Sequence, residues 1–223
     1  MRLDALYGMS IVHDDMFPRY FHDRSSATVK CHWEKTRETV ASLKRKYEKS
    51  VIGKVSMLNL LNLLARCIDP GDAIHGNVNQ LTHALLIAEE MEKDGINNPD
   101  LLIAAFVHDL GKIAFCINAP IGDSEKGTGL ENRIVQWTHG EFIYSRLKDY
   151  LPDHISWLIR YHSFIISDTE PFLNERDRTY LERYQRLFRK YDQRAQSAYK
   201  LPIKKVEDYH ELINRYFPEP ILF

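Results

Sequence analysis

Four histidines and two aspartates, His83, His108, Asp109, His139, His162 and Asp192, stand on apolar rows of this 223-residue sequence in a pattern suited to binding metal ions. His83 lies between Leu81 and the pair Ala84-Leu85. His108-Asp109 sits inside the most hydrophobic segment, PDLLIAAFVHDLGKIAF. His139 comes two residues after Trp137, His162 continues the row Ile155, Leu158, Ile159, and Asp192 lies one turn beyond Phe188. An ionised carboxylate in such surroundings is unfavourable by several kcal/mol unless it is paired or coordinated. Four imidazoles cannot all carry protons side by side. A pair of divalent or trivalent cations answers both demands, and Asp109, adjoining His108, can place its carboxylate between them. A histidine and carboxylate set without thiolates suits iron and leaves manganese, zinc and cobalt open.

Any one of these residues taken alone reads more simply as a hydrogen-bonded core residue. The His-Asp dipeptide recurs at His13-Asp14 and His22-Asp23, in polar, aperiodic sequence. His32, His75, His154 and His210 read as surface or loop residues. The ordered set of six on apolar faces is what carries weight.

The elements that would position the six follow from their spacing. The intervals are 25 residues from His83 to His108, 30 from Asp109 to His139, 23 to His162 and 30 to Asp192. Each is about one helix plus one loop, so five helices would point their ligands into one interior, as helical bundles do. Apolar periodicity predicts helices over 28–49, 55–66, 80–93, 99–115, 130–149, 153–166, 176–196 and 204–216. Ser56 is placed to cap the second, and Pro99 stands at the first helical position of the fourth. Loops are predicted over 66–80 and 117–130 from their Gly, Pro and Asn content. No sustained alternation or hairpin signal is present. The expected fold is all-α, a single helical bundle around a buried two-metal site, with residues 1–27 a preceding segment and 28–223 the domain.

Composition narrows the function. The chain is 44% hydrophobic and 27% charged, with a net charge of −1. Binding to nucleic acid or an anionic membrane through a basic excess is therefore not expected. Cys31, Cys67 and Cys116 lack CxxC spacing, which fits a reducing compartment. With no apolar leader or membrane span, the expectation is a cytoplasmic monomer acting on a small-molecule substrate. The row Tyr180, Tyr184, Tyr191 reads as helix packing, Trp137 and Trp157 as core, Lys44-Arg45-Lys46 as an exposed helix face, and RKYDQR as a solvated face flanking one inward aspartate.

The order H…HD…H…H…D resembles the HD-domain superfamily in its two-metal form. More narrowly, the segments LTHALLIAEE, FVHDLGK, GLENRIVQWTHGEFIYSRL, WLIRYHSF, FRKYDQ and INRYFPEPILF resemble the myo-inositol oxygenase family from about residue 28 onward. That resemblance implies two iron ions in a mixed-valent ferrous–ferric pair, dioxygen as co-substrate and no organic cofactor. It implies that His83, His108, Asp109 and Asp192 hold one iron, with Asp109 bridging to a second held by His139 and His162. Lys112 would contact substrate hydroxyls and help an alkoxide form. Ser163, and by a looser match Asp69, Gly122 and Asp123, would contact substrate. The implied reaction is a four-electron oxidation with C–C cleavage, giving D-glucuronate from myo-inositol.

Two departures touch the expected substrate pocket. The family's long insertion after HDLGK is cut to residues 113–128, and Gln196 stands where a lysine is expected four residues after the last aspartate. A related hydroxylated substrate is thus open alongside myo-inositol. The NQLTH entry to His83 also resembles phosphonate-cleaving HD oxygenases. A different reading is a metal-dependent phosphohydrolase, which would want several cations for its phosphate, with Lys112, Arg133 and Arg160 the candidates. A catalytically silent scaffold would be expected only with one of the six ligands replaced.

Overall fold

The structure, a computed structural model, describes residues 41–42, 45, 52–67, 79–113, 138–163, 173–196 and 200–223. Nearly all of the predicted helix 28–49, residues 1–27, and the loop residues Asp69, Gly122 and Asp123 lie outside that set. The described chain is built from helices: α1 Met57–Leu64, α2 Gln80–Lys93, α3 Pro99–Val107, α4 His139–Leu147, α5 Asp153–Tyr161, α6 Glu175–Tyr180, α7 Arg186–Gln196 and α8 His210–Tyr216. None is long and apolar enough to cross a membrane.

Side-chain caps set where several helices begin. Asn79 accepts from Thr82 N at 2.9 Å, Asn98 from Asp100 N at 2.8 Å, and Thr138 from Glu141 N at 3.2 Å. Each satisfies an N–H that the first turn leaves without a helical acceptor. Helices α2 and α3 form the centre: Leu85, Leu86, Ile87 and Ala88 of one and Ile103 through Val107 of the other are fully buried. Helix α7 packs along α2, α4 along α5, and α3 is shared by α2, α5 and α8.

Three stretches differ from the sequence expectation. Val55 belongs to a strand, β1 (Lys54–Val55), and Ser56 caps the helix behind it. β1 pairs antiparallel with β2 (Ile221–Leu222), Val55 opposite Ile221; two residues are too few to show alternation. Helix α3 ends at Val107, after which Leu110–Lys112 tightens into a 3₁₀ turn. The stretch before Arg186 runs as α6 and then a π turn, Leu181–Gln185. The 3₁₀ turn matters most, because residues three apart eclipse one another there, which sets Lys112 directly beside Asp109.

Candidate metal centre

The six residues singled out by spacing converge on one place, and helix ends supply half of them. His108 and His162 are the C-caps of α3 and α5, and His139 is the first residue of α4. The carbonyl ends of α3 and α5 carry partial negative charge, which favours a cation beside them. His83 lies inside α2 and Asp192 inside α7, so the packing of those two helices closes the set.

Asp109 is the centre of the geometry. Its Oδ2 lies 3.2 Å from His108 Nε2 and 4.0 Å from His83 Nε2. Its Oδ1 lies 3.4 Å from His139 Nε2 and 3.5 Å from His162 Nε2. One carboxylate thus offers one oxygen to each pair of histidines. Asp192 Oδ1 adds to the first group, 2.9 Å from His83 Nε2 and 3.9 Å from His108 Nε2. Two triads could each hold an ion: His83, His108 and Asp109, and Asp109, His139 and His162, each with ligand atoms within 4.8 Å of one another.

The tautomers suit that use. His108 Nδ1 donates to the Ala105 carbonyl at 2.9 Å, and His162 Nδ1 to the Ile159 carbonyl at 2.8 Å. A carbonyl can only accept, so Nδ1 holds a proton in each, and the neutral ring then turns an Nε2 lone pair inward. His139 Nε2 and His162 Nε2 stand 3.0 Å apart. His108 Nε2 and Asp109 Oδ1 are buried with no hydrogen-bond partner among the described residues. Such orphaned atoms are costly unless something else satisfies them. A cation held by both would do so, and the donor set fits one.

Charge points the same way. Burial pushes the Asp109 carboxyl up, but the His108 ring and the Lys112 ammonium beside it hold it well below the usual carboxylate range. Asp192 is likewise pushed up by burial and brought below its ordinary value by His83 and His108. His139 is held below the usual histidine value by burial first, with the Lys112 ammonium adding to it, against the pull of Asp109. Both carboxylates are therefore ionised and His139 neutral near pH 7, the forms that bind metal.

Comparison with known proteins settles the lineage. Residues 23–119 and 116–223 match the family described as myo-inositol oxygenase. The chain belongs to the myo-inositol oxygenase family. It is similar to inositol oxygenase 1 of Arabidopsis thaliana, 25% identical over 98% of this chain and 88% of the relative. An inositol oxygenase of Dictyostelium discoideum is 24% identical over 88% of this chain and 85% of its own. That of Sus scrofa is 24% identical over 74% and 75%. Membership makes this chain an inositol oxygenase-like enzyme.

Within this family member, Lys112 is buried, its Nζ 2.9 Å from Asp109 Oδ2 and donating to Gln80 Oε1 at 3.0 Å. A cavity of about 250 Å³ opens over the site, with Asp109, Lys112, His139 and His162 at its floor and Ser163 and Gln196 among its walls. Arg189, half-buried, and Gln193, exposed, also line it, in keeping with RKYDQR as a largely solvated face flanking one inward aspartate. Positions 189, 193 and 196 share the helix face that carries Asp192. Arg160 needs a correction. It is buried against Glu141 through Nε to Oε2 at 2.5 Å and Nη2 to Oε1 at 3.2 Å, and is committed to that carboxylate rather than offered to a phosphate.

Backbone contact fixes the second histidine pair. A Cβ on Gly111 would fall 1.9 Å from the His139 carbonyl oxygen, and one on Gly140 2.5 Å from that of Arg160. Glycine alone lets the 3₁₀ turn, α4 and α5 approach this closely. From α7, Phe188 packs edge-on to His108 at 5.2 Å, and Gln185 of the π turn donates to the Tyr161 carbonyl at 2.7 Å, next to His162. The tyrosine row is packing, as expected: Tyr184 stacks on His154, and the Tyr191 ring is buried.

Proposed function

We propose that this chain is a non-haem diiron oxygenase that uses dioxygen to oxidise a polyol, myo-inositol or a related hydroxylated compound, and to cleave one of its C–C bonds. The observation that carries the reading is the division of the two Asp109 oxygens between two histidine pairs. In this reading His83, His108, Asp109 and Asp192 hold one iron, and Asp109, His139 and His162 the other. Residues 28–223 form the catalytic domain, and residues 1–27 precede it.

Two bound irons would supply Lewis acidity toward a substrate hydroxyl and the electron transfer that dioxygen needs. The chain does the rest. Lys112, steadied by Gln80, keeps an ammonium at the cavity floor, where it stabilises negative charge on a substrate oxygen as the hydroxyl proton leaves. Ser163 and Gln196 present polar groups to further hydroxyls at the mouth, and Asp69, Gly122 and Asp123 are the remaining proposed contacts. The apolar core beneath the floor keeps bulk water from that side. Four electrons pass from polyol to dioxygen; one oxygen atom enters the product and the other leaves as water. With myo-inositol the product is D-glucuronate.

The test is dioxygen uptake by iron-loaded protein with a panel of polyols, followed by product mass. Dioxygen and polyol should disappear in equal amounts, with one atom of labelled oxygen in the product. Hydrolysis of phosphate esters without dioxygen uptake would replace this reading with the phosphohydrolase.

A further inference from the structure

Three residues on one row of the chain reach three different ligand-bearing elements. Phe188 and Asp192 of α7 meet His108 and His83. Gln185, the last residue of the π turn, reaches the end of α5. Positions 185, 188 and 192 stand at i, i+3 and i+7, which is one helix face. The wide turn lies just before that row: the Arg186 N–H donates to the Leu181 carbonyl, five residues back. Single turns of this kind inside α-helices are rare and gather at functional sites.

Gln185 is a polar side chain in a buried place, 2% exposed. Its Nε2 donates to the Tyr161 carbonyl at 2.7 Å. A carbonyl only accepts, so this contact fixes which end of the amide faces α5. The Oε1 at the other end is buried with no hydrogen-bond partner among the described residues. An amide satisfied at one end only is costlier to bury than a methionine of similar size. The use of the side chain therefore lies in its Nε2 contact. α5 ends at Tyr161, and the carbonyls of a last helical turn have no partner inside their own helix. The carbonyl that Gln185 meets also belongs to the peptide group joining Tyr161 to His162.

His162 hangs from that peptide. Its ring is turned by Nδ1 donating to the Ile159 carbonyl at 2.8 Å. Its Nε2 stands 3.0 Å from His139 Nε2 and 3.5 Å from Asp109 Oδ1. One anchor on the ring and one on the peptide thus hold a single imidazole. We propose, resting on the two-iron reading of this site, that Gln185 is a positioning residue for His162. Its hydrogen bond to the Tyr161 carbonyl keeps the imidazole where it and His139 share the second ion. Without that bond the last turn of α5 shifts, and the second ligand group loses its fit. The first group, built from His83, His108 and Asp192 on other helices, keeps its own.

The test is calorimetric titration of the metal-free full chain with ferrous iron, without dioxygen, for the wild type, Gln185→Met, Gln185→Asn and His139→Ala. Denaturant unfolding of each metal-free protein accompanies it. Methionine keeps the bulk and removes the donor; asparagine keeps the amide and withdraws it by one methylene. The dissociation constant that disappears in His139→Ala marks the second ion. It should rise about 10–100-fold in both Gln185 variants, the usual effect of losing an outer hydrogen bond around a metal-bound histidine. The other constant should keep its wild-type value. Equal weakening of both ions, no weakening in a folded variant, or failure of both variants to fold overturns the inference. A wild type that binds one ion overturns it together with the two-iron reading. Selective weakening in a protein that consumes no dioxygen with any polyol would uphold the role of Gln185 and remove the oxygenase reading; dioxygen uptake without selective weakening would do the reverse.

Discussion

Arg160 and Glu141 form a buried two-point ion pair, and each stands two residues from a histidine of the candidate centre: Glu141 after His139, Arg160 before His162. The Arg160 guanidinium also lies over the Tyr144 ring at 4.2 Å. The pair ties α4 to α5 beside the place where His139 and His162 face one another. Breaking a buried pair leaves one charge without its partner, at a cost of about 3–5 kcal/mol. Glu141→Leu or Arg160→Met should therefore lower the unfolding free energy by about that much and reduce metal content from two ions per chain toward one. The double variant should recover much of the stability. Denaturant unfolding and metal analysis of the three variants would check this; single variants with wild-type stability and full metal content would contradict it.

Gln80 acts through Lys112. Its Oε1 accepts from the ammonium that also contacts Asp109. A hydrogen bond to a charged group contributes about 1.5–3 kcal/mol, so Gln80→Leu should lower kcat/KM by about 10–100-fold while metal content stays at the wild-type level. Loss of metal in that variant would instead make Gln80 part of the centre's scaffold.

Asp94, the C-cap of α2, gathers three donors from α7: Arg194 at 2.8 Å, the Tyr191 hydroxyl at 2.9 Å and Lys190 at 3.3 Å. These residues flank Asp192, so the cluster helps dock the helix that brings it to His83. The hydrogen bonds from Arg194, Tyr191 and Lys190 pull the Asp94 carboxyl down to about 2. A carboxyl lowered on folding stabilises the fold fully above its unfolded value, near 4, and loses that contribution as pH falls through its folded value. Asp94→Asn should thus melt below the wild type at neutral pH, with the gap narrowing as pH falls from about 4 toward 2. Because the cluster is partly exposed, added salt should narrow it too. A gap independent of pH would contradict the assignment.

Much of the site could be read from sequence because its residues break the apolar rows that build the core. A histidine or aspartate inside LLIAAFVHDL or ISWLIRYH is conspicuous, and the all-α expectation followed from the same periodicity. What escaped reading depends on tertiary partners. Hydrophobic pattern runs through His108 without pause, so the stop of α3 at Val107 shows only once Gly111 is seen against His139. RKYDQR reads correctly as a largely solvated face with one inward aspartate, but nothing in it says that a cavity lies beside Asp192. Arg160 carries no local sign that Glu141 lies opposite. The β1–β2 pair joins residues more than 160 positions apart, beyond the reach of any window.

The central claim is that Asp109 joins two metal ions held by two groups of histidines. Electron paramagnetic resonance of the iron-loaded, partially oxidised protein tests it most directly, read alongside iron content in the wild type and Asp109→Ala. Two irons per wild-type chain and the signal of a coupled mixed-valent pair, absent in Asp109→Ala, are the expected result. One iron per chain, or two that give only uncoupled signals, would contradict it.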